Sequence, residues 1–327
     1  MKDNFRWGLI GPGRIAERFA QSLAVIEDAE LYAVASRDQE RAAKFAARFG
    51  AQKTYGDYAD LLNDGKVDAI YIATPHRFHF EQAKLCLQAG IAVLCEKPLT
   101  VNAAETAELV ALAKKHNVFL MEALWTRFLP IYSHVRKWLD TGLIGEVKSL
   151  NSSFGFCFPR DLDDRVYNHD LAGGALLDTG IYNIAISQWV FGENPESVQA
   201  MSSLAETGVD QHTSVNMAYS GGGYSQFTCS LLAEHANDFR INGSKGHIRI
   251  HPMFWDTAHA TLVTEDEEIT ISEPYRATGF EYEVEEAMRC IRAGLLESPG
   301  MSHADTLANM ALMDDIRRQI GLKYRFE

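Results

Sequence analysis

The chain has 327 residues, 46% of them hydrophobic and 23% charged, a composition ordinary for a globular protein and a length that suits two cores better than one. Against 44 acidic side chains stand 31 basic ones, a net charge of -13 with no Lys/Arg run, so nucleic acid is excluded as an expected partner. No stretch of about 18 apolar residues is present to span a membrane, and the five cysteines (86, 95, 157, 229, 290) fit neither a disulfide framework nor a zinc module, which predicts reduced thiols in a cytoplasmic protein.

Met1-Lys2-Asp3-Asn4 leads straight into a strand without a basic-then-apolar leader, which predicts no signal peptide. Trp7-Gly8-Leu9-Ile10 reads as a buried strand, followed by a Gly-Pro-Gly turn and a helix carrying Ile15, Phe19 and Leu23 at spacings of four. Leu31–Ala35 is a second strand and Arg41–Phe49 a second helix. Ala69–Ala73, apolar on both faces, has the look of a central parallel strand. A helix over about Phe78–Ala89 leads to strand Ala92–Cys95, and helix Ala103–His116 to strand Val118–Met121. This βαβ rhythm predicts a doubly wound parallel sheet over residues 1–123.

Beyond about residue 145 the pattern changes to β-branched, partly alternating stretches near 146–156, 197–204, 212–233, 239–250 and 259–272. They read as long antiparallel strands, with hairpin-type turns at Ser220–Gly223 and Asn242–Ser244. Two helices, about Phe280–Ala293 and Ala304–Ile320, close the chain. The expected second domain, 124–327, is therefore α+β, built on a mainly antiparallel sheet, and no Pro/Ser-rich linker separates it from the first.

Gly11-Pro12-Gly13-Arg14-Ile15-Ala16 matches G-x-G-x-x-A where the first strand gives way to the first helix. The first glycine permits the tight turn, the second lets backbone approach a pyrophosphate, and the helix amino end offers N–H groups to the anion. At the end of the second strand an NAD enzyme would place a carboxylate for the ribose 2′-hydroxyl. Here Ser36 and Arg37 stand instead, a hydroxyl beside a guanidinium, which suits a 2′-phosphate and predicts NADP over NAD. Asp38 leaves open a turn toward a ribose.

The next strands end in polar clusters, Thr74-Pro75-His76-Arg77-Phe78-His79 and Cys95-Glu96-Lys97-Pro98, at the sheet edge where ligands of open α/β folds bind. H-x-x-H on a turn without further ligands predicts a cofactor-contacting loop, with Thr74, Pro75, His76 and His79 in it, and no metal. Lys97, after a buried strand and before a proline, is a candidate proton-transfer group, with a surface pairing to Glu96 as the alternative.

These motifs, with Gly173-Gly174-Ala175-Leu176-Leu177-Asp178-Thr179-Gly180-Ile181-Tyr182, resemble the glucose–fructose oxidoreductase (Gfo/Idh/MocA) family. Met121–Phe128 and Gly279–Tyr282 resemble its dimeric dihydrodiol dehydrogenase and NADP-xylose dehydrogenase branch. The resemblance implies a Rossmann domain followed by an open-faced sheet domain, and Lys97 as the catalytic lysine of E-K-P. It also implies Asp178 and Tyr182 as the pair of the substrate domain, with Tyr where many relatives carry His. A spacing of four puts Asp178 and Tyr182 on one helix face, and a nearby ammonium would bring a phenol within reach of neutral pH.

Trp125, Phe154, Phe156, Trp255 and Phe280 are candidates for an aromatic wall around the substrate, with Arg127 as a substrate or loop contact. The implied reaction is hydride transfer between nicotinamide and a secondary alcohol or carbonyl of a diol, aldose or cyclitol, with a homodimer or higher homo-oligomer formed through the sheet. Alternatives are a sugar or cyclitol oxidoreductase with a permanently bound cofactor, and a non-catalytic NAD(P)-binding regulatory protein of the same fold.

Overall fold

The structure is a computed structural model and describes residues 4–327. The chain forms two compact units, one of residues 1–125 and 276–307, the other of 126–275 and 308–327. The sequence reading divides the chain once; the structure divides it so that a late segment returns to the first unit.

In the first unit the strands are β1 (Phe5–Ile10), β2 (Ala29–Ala35), β3 (Lys53–Tyr55), β4 (Ala69–Ile72), β5 (Ala92–Glu96) and β6 (Leu120–Ala123), all parallel, in the order β3-β2-β1-β4-β5-β6. This is the doubly wound Rossmann order, with its reversal between β1 and β4. Every residue of β4 is buried, as the continuous apolar run requires. Register aligns the strand ends: Ile10 pairs with Ala35 and Ile72, Ile72 with Cys95, and Cys95 with Glu122. Gly11, Ser36, Thr74 and Lys97, which follow four of these strands, therefore share one edge of the sheet.

The intervening helices are α1 (Arg14–Leu23), α2 (Gln39–Phe49), α3 (Tyr58–Asn63), α4 (His79–Gln88) and α5 (Ala103–His116). Asp38 caps α2 by accepting from the Arg41 amide at 3.1 Å, and Asn102 caps α5 through the Glu105 amide at 2.9 Å. β3 and α3, of three and six residues, are too short to show a periodicity and are absent from the sequence reading. The returning segment contributes α8 (Glu281–Arg292), joined to α1 by the Arg18 guanidinium donating to the Thr278 carbonyl at 2.5 Å and by Ser22 donating to Glu281 at 3.1 Å.

The second unit holds α6 (Pro130–Asp140), α7 (Ile181–Phe191), most of α9 (His303–Ile320) and eight strands. These are β7 (Val147–Gly155), β8 (Ser197–Leu204), β9 (Asp210–Ala218), β10 (Tyr224–Ser230), β11 (Phe239–Gly243), β12 (Gly246–Ile250), β13 (His259–Thr264) and β14 (Glu268–Ser272), in the order β14-β13-β12-β11-β7-β10-β9-β8. The pairing is antiparallel except between β7 and β10, which run parallel from Ser149/Tyr224 to Gly155/Ser230. The mainly antiparallel sheet expected from the sequence is thus present with one parallel pair, which alternation of side chains does not reveal. One face buries Leu150, Phe154, Val215, Phe227, Ile241 and Leu262, and α7 lies on it, with Asn183 donating to Ser152 at 2.8 Å and Ser187 2.8 Å from Ser225. The other presents exposed Asn151, Tyr224 and Gln226, the open face that the family resemblance implies.

Candidate active site

In the first unit, the glycine turn is shaped for backbone alone. Gly11 has φ +89°, and a Cβ there would lie 2.6 Å from the Thr74 methyl and 2.9 Å from its amide. A Cβ at Gly13 would meet nothing closer than the Arg41 guanidinium at 3.8 Å, so that side of the turn is open. Gly13 opens α1 without a side-chain cap, leaving the first-turn amides for an external acceptor. A close-approach cradle above an uncapped helix fits a dinucleotide pyrophosphate.

At the neighbouring strand end, Ser36 is buried and its hydroxyl accepts from the Asp38 amide at 3.2 Å. Asp38, the carboxylate that the sequence leaves open for a ribose, caps α2 through Oδ1. Arg37 lies with its guanidinium 5.3 Å from the centre of the Phe78 ring. The Tyr58 phenol is raised by burial and drawn back by the charge and hydrogen bond of Arg37. Arg41, which the sequence reading missed, donates from Nε to the Pro12 carbonyl at 3.1 Å and adds a second cation beside the turn. Its signal was its place one turn into α2, a position usually dismissed as solvated.

Thr74 donates to Gln82 at 2.7 Å, and Pro75 precedes a single helical turn, His76–Phe78, in which His76 is buried. His79 is fully buried, its Nδ1 2.8 Å from the Pro98 carbonyl oxygen and its Nε2 2.7 Å from that of Thr74. With both ring nitrogens close to carbonyl oxygens, His79 ties two strand ends together.

The Lys97–Pro98 peptide is cis. Glu96 is buried and accepts a short hydrogen bond from the Tyr71 hydroxyl, so it faces the interior, while Lys97 is half-buried. Behind Glu96 lies Glu283 of α8, fully buried, neither of its oxygens with a hydrogen-bond partner among the described residues. Burial first, then the Glu96 charge, push its carboxyl well above the usual carboxylate range, against a pull from Arg18. Nothing in the sequence marks it, since Glu281, Glu283, Glu285 and Glu286 read as one solvated acidic helix start. Trp125 and Phe280 face each other at 4.8 Å, with the Arg18 guanidinium 4.5 and 5.0 Å from their ring centres.

In the second unit, Gly173 and Gly174 precede a π-helical turn, Leu176–Gly180, that runs into α7. A Cβ on Gly173 would sit 2.6 Å from the carbonyl oxygens of Arg165 and Val166, and Gly174 has φ +122°, so the pair admits no other residues. Asp178 lies in the π turn and Tyr182 in the first turn of α7, both buried, so their spacing of four joins two helical types. Asp178 accepts from Arg165 at 3.1 Å, a partner on an irregular loop that the sequence reading missed. The Tyr182 ring lies 5.6 Å from that of Phe154, which stacks on Trp255 at 3.4 Å and 10°, with Phe156 edge-on to both. Of the anticipated aromatic wall, the structure clusters Phe154, Phe156 and Trp255, with Phe154 beside Tyr182, and pairs Trp125 with Phe280 in the first unit. Arg127 is half-buried in the turn Trp125–Phe128.

Residues 5–124 match the model of the oxidoreductase family with an NAD-binding Rossmann fold, and 132–249 that of the GFO/IDH/MocA C-terminal domain. A trans-1,2-dihydrobenzene-1,2-diol dehydrogenase of Xenopus laevis is 39% identical over 98% of this chain and 99% of its own, and that of Mus musculus 38% identical over 98% of each. The crystal structure of a 3-ketoreductase from Actinomadura kijaniata in complex with TDP-benzene and NADP superposes with a TM-score of 0.86, at 27% identity over 97% of this chain and 98% of that one. An aldose–aldose oxidoreductase from Caulobacter crescentus, 22% identical over 97% of each chain, shares the fold with a TM-score of 0.88. A cradle for a dinucleotide, the buried Asp178 and Tyr182, and matches over nearly the whole chain lead to one conclusion: the chain belongs to the Gfo/Idh/MocA family and is an NAD(P)-dependent dehydrogenase.

Proposed function

We propose that the protein interconverts a secondary alcohol and its ketone on a cyclic diol or sugar-like molecule, with NADP as the preferred cofactor. The observation that carries this reading is the packing around Tyr182, a buried phenol beside Phe154, which stacks on Trp255, and one helical turn from an Asp178 paired with Arg165. A flat apolar surface beside a hydroxyl suits a ring that bears its own hydroxyls. The names of relatives above 35% identity, dihydrodiol dehydrogenases, support a ring diol, and the NADP in the 3-ketoreductase complex supports the choice that Ser36 and Arg37 suggest.

When bound, the nicotinamide supplies the carbon that takes or gives the hydride. The protein's share is orientation and the proton. Gly11 to Ile15 would hold the pyrophosphate by backbone, and Ser36 with Arg37 would hold the 2′-phosphate. Tyr182 moves the substrate hydroxyl proton, Lys97 supplies the cation that keeps a phenolate accessible, and Asp178 orients the reacting hydroxyl.

The test is the appearance of reduced nicotinamide, followed by absorbance, with NADP and a panel of cyclic trans-diols, aldoses and cyclitols. Tyr182→Phe and Lys97→Met should each lower kcat by about 10²–10⁴-fold, the usual share of a general acid–base group. A silent panel would refute the substrate class, and full turnover in either variant would remove that residue from the reaction.

A further inference from the structure

Asp210 opens β9 and is fully buried within the second unit. Its Oδ2 accepts from the Leu176 amide at 2.8 Å and from the Thr213 hydroxyl at 2.8 Å. Its Oδ1 has no hydrogen-bond partner among the described residues and faces Gly174, where any Cβ would collide with it. The carboxyl group is thus aimed at the amino end of the helical segment that begins at Leu176. That end has no side-chain cap of its own. Asp178 lies two residues further on and Tyr182 six, so whatever fixes Leu176 fixes the direction of both.

We infer that Asp210 is a positioning residue: its carboxylate anchors the start of the 176–191 helical run and thereby aims Asp178 and Tyr182. The inference rests on the reading that those two residues serve the reaction. An anion at a helix amino end is stabilised by the aligned peptide dipoles, and an ionised acceptor binds an amide more strongly than a neutral one. The cost of placing that anion in the interior is visible in its titration. Burial raises the carboxyl from 3.8 to about 6, while Thr213, the Leu176 amide and Arg317 pull it back.

Three elements present titratable or charged groups to Asp210. Cys229 of β10 and Tyr324 of the C-terminal tail are pushed well above their ordinary values, first by burial and then by Asp210 itself. Arg317 of α9, whose charge draws the Asp210 carboxyl down, pairs with Glu327 at 2.6 Å. A carboxyl whose folded value is raised is most stable when protonated, so ionising Asp210 lowers stability as pH climbs from about 4 through about 6. A buried charge kept at the expense of stability points to a role in function rather than folding.

The test uses the full chain and Asp210→Asn, which keeps the acceptor for Leu176 and loses the charge. Amide hydrogen exchange over 174–182 should quicken by about tenfold, the difference between a charged and a neutral acceptor, with melting temperature at neutral pH no lower than wild type. Unchanged protection, or a melting temperature that falls in step with it, would overturn the inference. In turnover, kcat should fall by about tenfold with the cofactor KM unmoved, and the acid limb near pH 6 should vanish. If the wild-type protein turns over nothing, the proposed reaction fails while the exchange measurement still decides on Asp210. Should Asp210→Asn not fold, Thr213→Val removes one donor from Oδ2 and raises the Asp210 titration further. Its acid limb, or the pH at which the 174–182 amides lose protection, should then move upward, and no movement would overturn the inference.

Discussion

Arg37→Ala tests the cofactor reading at a single side chain. Arg37 is exposed, but its guanidinium is not loose: the Phe78 ring lies 5.3 Å away, and Tyr58 shares a hydrogen bond with it. A fork held in advance loses little freedom on meeting a phosphate. Hydrogen bonds to a charged group contribute about 1.5–3 kcal/mol, which at about 1.4 kcal/mol per decade is roughly 10–100-fold in affinity. Solvent screening favours the lower end, and Arg41, anchored to the Pro12 carbonyl, keeps part of the positive field in the variant. The expected result is a KM for NADP raised about tenfold or more, with the KM for NAD changed by less than about threefold. Initial rates with both cofactors at low and high salt measure it, and the NADP penalty should shrink as salt rises. An equal rise for the two cofactors would refute the argument, because a group that meets only the 2′-phosphate cannot affect a cofactor lacking one.

Two further substitutions probe the charges around the site. Glu283 titrates above its ordinary value in the fold, so its contribution to stability is complete in acid and falls as pH rises through the raised value. Glu283→Gln should therefore melt higher than wild type by a margin that grows in alkali, about 1–4 kcal/mol or a few degrees for each kcal/mol; parallel pH profiles of melting temperature would contradict this. Arg165→Ala removes a partly exposed cation from a buried carboxylate, with side-chain exposures of 42% and 8%. About 1 kcal/mol is at stake, roughly a fivefold loss in kcat/KM, and an unchanged kcat/KM would mean that Arg165 serves only the loop.

Much of the first unit was legible because strand ends and glycine turns announce themselves through local chemistry. The Ala103–His116 helix was read to the residue, bounded by Asn102 and Asn117, and the Gly11–Ala16 turn lies where strand meets helix. What escaped depends on partners distant in sequence. The cap at Asp38 competes with a ligand role, and only coordinates show which side chain turns inward. Parallel pairing of β7 with β10, the return of 276–307 to the first unit, and the burial of Glu283 and Asp210 are long-range facts that no periodicity encodes.

The return of α8 bears on how the chain is made. Strands β1 to β6 leave the ribosome long before residues 276–307, so the nucleotide-binding sheet must wait through the synthesis of nearly the whole other unit for its last layer. Until then Ser22 lacks Glu281, Arg18 lacks the Thr278 carbonyl, and the Trp125 ring lacks Phe280. A fragment cut at the end of β6 therefore lacks the layer that α8 adds to the first unit.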